Sequence, residues 1–86
     1  MSYEKVKQAQ KTIIGTKQAV KAARNGHLSE IIVAMDVDHH VIAPVLEVAR
    51  EFNIPVTNVP SKQQLGKVAD LRVHASVVAI ADSRFL

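Results

Sequence analysis

The sequence predicts an α/β fold, a three-layer α/β/α sandwich with a mainly parallel or mixed four-stranded sheet. Residues 31–35 and 76–81 are uninterrupted or nearly uninterrupted apolar runs, a pattern typical of strands buried on both faces. Segments with helix-like spacing of apolar residues separate the strands, and this alternation favours crossover connections with helices on both sides of a sheet. A chain of 86 residues has room for one core, so residues 1–86 are expected to form a single domain.

The expected elements follow the order α-β-α-β-α-β-α-β. The helices are expected over residues 3–11, 17–25, 41–49 and 62–69, and the strands over residues 12–14, 31–35, 54–59 and 76–81. Thr16 is expected to cap the second helix and Gly26 to end it, while Ser61 is expected to cap the last helix. The connections are short, so no long lid or active-site loop is expected.

Charge is unevenly distributed along the chain. The net charge is +3, but residues 1–30 carry six Lys or Arg against two Glu, whereas residues 31–60 carry one Arg against four Asp or Glu. Residues 61–86 are again basic. A cationic face opposite an acidic one suits a polyanion such as nucleic acid, although an ordinary solvated surface is the alternative.

Several classes of protein are disfavoured by composition and motifs. The chain has no cysteine, which excludes disulfides, a thiolate zinc site and a cysteine nucleophile. No run is long enough to span a membrane and no signal peptide is visible, so a cytoplasmic location is expected. No serine-nucleophile elbow is present, and Gly15-Thr16-Lys17 has Gln10 where a phosphate-binding loop needs its first glycine. We therefore expect no enzymatic activity, no cofactor and no small-molecule substrate.

One cluster, Asp36-Val37-Asp38-His39-His40, contains residue types that bind metals. A metal-dependent phosphoesterase would need further ligands from other strands, and the remaining His and Asp residues are few: His27, His74, Asp70 and Asp82. The alternative is a solvated loop between a strand and a helix, with Asp38 capping the helix. We expect no bound metal.

The second helix carries a basic stripe. Lys17, Lys21 and Arg24 have i, i+4, i+7 spacing, which places them on one helix face. The helix begins after Gly15, and a helix N-terminus offers free N–H groups and partial positive charge to a phosphate. Gln18 lies in the same first turn and can pair with base edges. A solvated helix face is the alternative.

The scarcity of aromatic residues indicates which form of RNA such a surface would bind. Readers of single strands stack bases on exposed rings, and Tyr3, Phe52 and Phe85 are too few and too scattered for this. Structured RNA is therefore the expected partner. Residues 71–75 form an expected loop with three apolar side chains, which either covers the core or contacts RNA.

Several motifs occur together in one order: Gly15-Thr16-Lys17-Gln18-Ala19-Val20-Lys21-Ala22, residues 31–36, Ile54-Pro55-Val56, residues 61–67 (Ser-Lys-Gln-Gln-Leu-Gly-Lys) and residues 75–80 (Ala-Ser-Val-Val-Ala-Ile). Together they closely resemble the kink-turn-binding ribosomal-protein family. That family includes archaeal and eukaryotic large-subunit proteins, the box C/D ribonucleoprotein core protein and small bacterial members. The resemblance covers about residues 12–81.

The resemblance implies an α/β/α sandwich whose helix after Gly15 enters the major groove beside tandem sheared G·A pairs. It implies that the loop of residues 71–75 packs against bulged nucleotides. Lys17 and Gln18 stand where archaeal members have Asn and Glu, and Met35 stands where many relatives have Glu, departures that resemble the bacterial subgroup. The RNA-binding residues implied are Gly15, Thr16, Lys17, Gln18, Lys21, Met35, Asp36, Leu71, Arg72, Val73, His74 and Ala75.

The expected function is therefore recognition of kink-turn RNA and stabilisation of its bent form by a monomeric protein. Ribosomal RNA is one candidate partner, and no membrane partner is expected. The alternative from a different class is a ribosome-associated or protein-interaction module without kink-turn specificity.

Overall fold

The computed structural model describes residues 6, 11–69 and 74–81. Its elements are β1 (Thr12–Ile14), α1 (Thr16–Arg24), β2 (Leu28–Ala34), α2 (His39–Glu51), β3 (Val56–Val59), α3 (Lys62–Val68) and β4 (Val77–Ala81). The helix expected over residues 3–11 lies outside the described residues, apart from Val6 and Lys11. Within the described part of the chain, no helix has the length and apolar character needed to cross a membrane.

The four strands form one mixed sheet in the order β1-β4-β2-β3. Strand β4 lies between β1 and β2 and is antiparallel to both, with Ile14 opposite Val78 and Val33 opposite Val77. Strands β2 and β3 are parallel. The predicted α/β fold is thus confirmed, and of the two expected sheets the mixed one is found rather than the mainly parallel one.

The direction of β4 follows from where the chain returns after α3. The crossovers through α1 and α2 leave β1, β2 and β3 running the same way, as the alternation predicts. Helix α3 has only seven residues, and the N–H of Ala75 donates to the carbonyl of Lys62 at 3.0 Å. The chain has therefore returned to the edge where β3 ended, so β4 starts there and must run in the opposite direction.

The sheet separates two apolar clusters, because successive side chains of a strand point to opposite faces. Ile31, Val33, Val77 and Ala79 pack with α1 and α2 on one face. The other cluster contains Val6 and α3; its sheet residues are Ile32, Ala34, Val59 and Val78. All four residues from Ile31 to Ala34 are fully buried, as expected for a strand covered on both faces.

Of the two N-cap residues predicted for α1 and α3, one is confirmed and the other is wrong. The Ser61 side chain accepts a hydrogen bond from the N–H of Gln64 at 3.1 Å, which confirms it as the N-cap of α3. Thr16 does not cap α1. Gly15 is the N-cap, no side chain caps this helix, and Thr16 is already helical because the Gly15 carbonyl accepts from Ala19 at 3.0 Å.

Candidate nucleic-acid interface

Three of the predicted RNA-binding segments begin or end at the same edge of the sheet. The Gly15 N–H, just after β1, donates to the Val77 carbonyl at 3.1 Å. The Ala34 N–H, at the end of β2, donates to the Ser76 carbonyl at 2.9 Å. The C-terminal ends of β1, β2 and β3 and the start of β4 therefore lie together at one end of the strands, and we call this end of the sheet the interface edge.

Gly15 occupies a backbone conformation that other residues rarely adopt. Its φ of 100° and ψ of 155° lie in a region that is essentially restricted to glycine. A Cβ at this position would meet no atom of the described residues within 4 Å, so the requirement for glycine comes from the backbone and not from crowding. This conformation turns the chain from β1 directly into α1 and places the first turn of α1 at the interface edge.

Helix α1 presents a polar, basic side to solvent. Lys17, Gln18 and Lys21 are exposed, and Arg24 extends the same stripe. The opposite side is buried and consists of three alanines: Ala19, Ala22 and Ala23. The first-turn N–H groups have no acceptor within the helix, and within the described part of the chain the first turn has neither an acidic residue nor a side-chain cap. This end of α1 therefore suits an anionic ligand.

Met35 and Asp36 follow β2 at the interface edge. The Met35 N–H donates to the Val59 carbonyl at 2.8 Å, and its side chain is 57% exposed. Asp36 Oδ1 accepts a hydrogen bond from the N–H of Lys62 at 2.9 Å, so this carboxylate lies at the N-terminus of α3. Met35 offers an exposed apolar contact, whereas Asp36 has a bond within the protein.

The predicted loop of residues 71–75 is described only at its end. Leu71, Arg72 and Val73 lie outside the described residues, and His74 is exposed. The Ala75 side chain is 3% exposed and belongs to the core that includes α3. Its methyl group therefore packs inside the protein, and of the two described residues of this segment His74 is the one that is exposed to solvent.

The Asp and His cluster lies where β2 leads into α2. Asp38, His39 and His40 are all exposed. Asp38 occupies the N-cap position of α2, but its side chain makes no cap hydrogen bond, contrary to the expectation from sequence. Among residues 6, 11–69 and 74–81, no group of three His, Cys, Asp or Glu residues could hold a metal ion.

Two features of the surface are visible only in the folded chain. Lys62 joins the interface edge through its backbone, because its N–H bonds Asp36 and its carbonyl accepts from Ala75. Lys21 instead lies further along α1, beside Lys11 and His27 in a cleft. The sequence separations involved are long, so local sequence patterns do not reveal these contacts.

Comparison with known proteins gives a consistent result. Residues 2–85 match the family described as the ribosomal protein L7Ae/L30e/S12e/Gadd45 family. A Geobacillus sp. (strain WCH70) protein named RNA-binding protein is 52% identical over 80 residues, which cover 93% of this chain and 98% of the relative. RNA-binding protein YbxF of Geobacillus stearothermophilus is 50% identical over 80 residues, which again cover 93% of this chain and 98% of the relative. A Staphylococcus aureus (strain JH9) RNA-binding protein is 35% identical over 82 residues.

Solved structures share the fold. The Giardia lamblia 15.5kD RNA binding protein superposes with a TM-score of 0.87 at 23% identity, covering 99% of this chain and 74% of that one. A Bacillus halodurans protein of unknown function superposes with a TM-score of 0.81 at 26% identity, covering 96% and 83%. By its sequence match over nearly the whole length, this chain belongs to the ribosomal protein L7Ae/L30e/S12e/Gadd45 family.

Proposed function

We propose that this protein binds kink-turn RNA and stabilises its bent form, acting as a binding protein and not as an enzyme. The observation that carries the proposal is the meeting of Gly15, Met35 and Ser76 at the interface edge, beside the uncapped first turn of α1. RNA binding is also supported by the names of the bacterial relatives, which are RNA-binding proteins.

Electrostatics supports a phosphate-rich ligand. Lys17, Lys21 and Arg24 are exposed on α1, which contains no acidic residue. Gln18 stands where archaeal members of the family have Glu, and Lys17 stands where they have an uncharged Asn. Met35 stands where many relatives have Glu. Each of these differences makes the surface more positive, which strengthens contact with the RNA backbone.

A folded RNA fits this surface better than a single strand. Phe52 is the one aromatic residue within the described part of the chain, and it follows the C-terminal end of α2. Phe52 comes before β3 in the chain, and β3 starts at the end of the sheet that is opposite to the interface edge. A stacking platform for unpaired bases is therefore missing from the described surface beside α1, and recognition has to rely on shape, phosphates and groove contacts.

Selectivity requires more than charge, because phosphate contacts alone carry no sequence information. In the proposed complex the first turn of α1 contacts the sheared G·A pairs. Leu71 and Val73, which precede β4 in sequence, cover an unstacked bulge nucleotide. Both contacts exist only when the RNA is bent, so binding shifts the RNA toward its kinked form.

The test is a titration with three RNAs: a kink-turn, a variant without the G·A pairs and a linear duplex of equal length. We expect clear preference for the kink-turn and an increase in energy transfer between dyes on its two stems. Equal affinity for all three RNAs, or binding without bending, would refute kink-turn recognition. The alternative, a module without kink-turn specificity, would then be supported. We also propose that the protein is monomeric and cytoplasmic. Ribosomal RNA is one candidate for the RNA that it binds in the cell.

A further inference from the structure

A shallow, open cleft of about 230 Å³ lies between the edge strand β1 and helix α1, and it extends from Gln18 in the first turn of α1 to Asn25 at the end of that helix. Strand β1 leads up to Gly15 and α1 runs back alongside it, so the residue before β1 faces the last turn of α1. The lining residues are Lys11, Ile13, Gln18, Lys21, Ala22, Asn25 and His27.

The cleft combines an apolar floor with a polar rim. Ile13 and Ala22 belong to the core or pack against it, and they form the floor. Lys11, Lys21 and Asn25 are exposed on the rim, and none of the lining residues among those that the structure describes is acidic. Two ammonium groups and two side-chain amides around an apolar base are a suitable set of donors for a phosphate and its attached sugar.

The backbone holds the rim in place from both sides. The carbonyl of Lys11 accepts a hydrogen bond from Ala81 at 3.1 Å, which attaches this residue to β4. On the other side, Gly26 adopts a φ of 73°, and the His27 N–H donates to the Ala22 carbonyl at 3.2 Å. The chain therefore turns sharply after α1 and brings His27 to the cleft.

We propose that this cleft binds a backbone phosphate of the RNA stem that continues beyond the kink-turn. The inference rests on the proposed function and extends it. Gln18 and Lys21 belong both to the cleft and to the predicted RNA-binding residues, so the two surfaces are continuous. Helix α1 is roughly 13 Å long, so an RNA stem that starts at its first turn can pass the cleft several nucleotides later.

The experiment compares two kink-turn RNAs, one with a long stem and one with that stem cut back to the G·A pairs. Affinities of the wild-type protein and of Lys11→Gln are measured over a range of salt concentrations. For the long-stem RNA, the slope of log affinity against log salt is negative, and we expect Lys11→Gln to make it shallower by about one unit. For the short-stem RNA, the two proteins should have the same slope. Lys11→Arg should retain the wild-type slope, because it keeps the charge.

Lys67→Gln is the matched control. It also exchanges an exposed lysine for glutamine, but it lies on α3, on the other side of the sheet from α1. An equal change of slope for Lys67→Gln, or for Lys11→Gln with both RNAs, would overturn the cleft while leaving kink-turn binding intact. Failure of the wild-type protein to prefer either kink-turn RNA over linear duplex would overturn the proposed function and the cleft together.

Discussion

The carboxylate of Asp36 accepts a hydrogen bond from the backbone N–H of Lys62 at 2.9 Å, joining the end of β2 to the first residue of α3. Ser61 caps the same helix through the N–H of Gln64. Helix α3 thus has two side-chain acceptors at its N-terminus, one from its own N-cap and one from a residue 26 positions earlier in the sequence. Asp36 therefore has a structural role at the interface edge.

We predict that Asp36→Ala lowers the free energy of unfolding by about 1 kcal/mol, which is typical of the loss of a helix cap. Asp38→Ala is the matched control, because it removes the same charge from an N-cap position whose side chain makes no cap hydrogen bond. Urea unfolding monitored by circular dichroism gives both values. Equal losses in the two variants would show that charge near the helix ends matters and that the Asp36 bond does not.

Gly15→Ala should destabilise the protein by about 1–3 kcal/mol, because alanine is strained at the backbone angles of Gly15. No clash with the described residues contributes, since none of their atoms lies within 4 Å of the added Cβ. Gly26→Ala is the comparison, because Gly26 also has a positive φ and an open Cβ position but lies at the far end of α1. Kink-turn affinity of the folded protein should decrease for Gly15→Ala only. An affinity loss shared by both variants would contradict a local role for Gly15.

The double substitution of Lys17 and Lys21 by Ala should weaken kink-turn binding without unfolding the domain, because both side chains are exposed. A contact to a guanine edge is worth about 1–3 kcal/mol, and each lost phosphate contact should make the salt dependence of log affinity shallower by about one unit. The control is the double substitution of Arg50 and Lys67 by Ala, which removes the same charge from exposed positions outside the interface edge. Unchanged affinity at physiological salt would refute the proposal that α1 contacts the RNA.

Substitution of Leu71 and Val73 by Asp should reduce affinity for the kink-turn far more than affinity for a linear duplex. Added acid weakens both complexes through repulsion, so the difference between the two RNAs isolates the proposed apolar contact with the bulge nucleotide. Affinity measurements and the distance between dyes on the RNA stems provide the readouts. Equal losses on both RNAs would mean that this segment contributes to structure and not to kink-turn recognition.

His39→Ala should leave RNA affinity and stability unchanged, because His39 is exposed and no described cluster could hold a metal with it. The wild-type protein should bind neither zinc nor manganese stoichiometrically when titrated by calorimetry. A tightly bound metal, together with phosphodiester hydrolysis that disappears in His39→Ala, would support the phosphoesterase alternative instead.

Local sequence patterns were sufficient to predict the elements that the structure describes, although β2 begins at Leu28, before the apolar run, and ends at Ala34, so that Met35 lies beyond it. The apolar run through Ile31 and Val33 predicted a strand buried on both faces, because a strand without alternating polarity needs cover on both sides. Ser61 was predictable as an N-cap, because its partner Gln64 lies only three residues away. The basic stripe on α1 was likewise visible, since the spacing of Lys17 and Lys21 matches the helical repeat.

The tertiary structure decided what depends on contacts between distant residues. The direction of β4 depends on where the chain returns after α3, which the hydrogen bond from Ala75 to Lys62 shows. The strand propensities of the residues carry no information about this contact. The bond between Asp36 and Lys62 and the cleft beside Lys11 arise only when separate elements pack together. Local patterns report the preferences of neighbouring residues, whereas the meeting of chain segments at the interface edge is fixed by strand order and register.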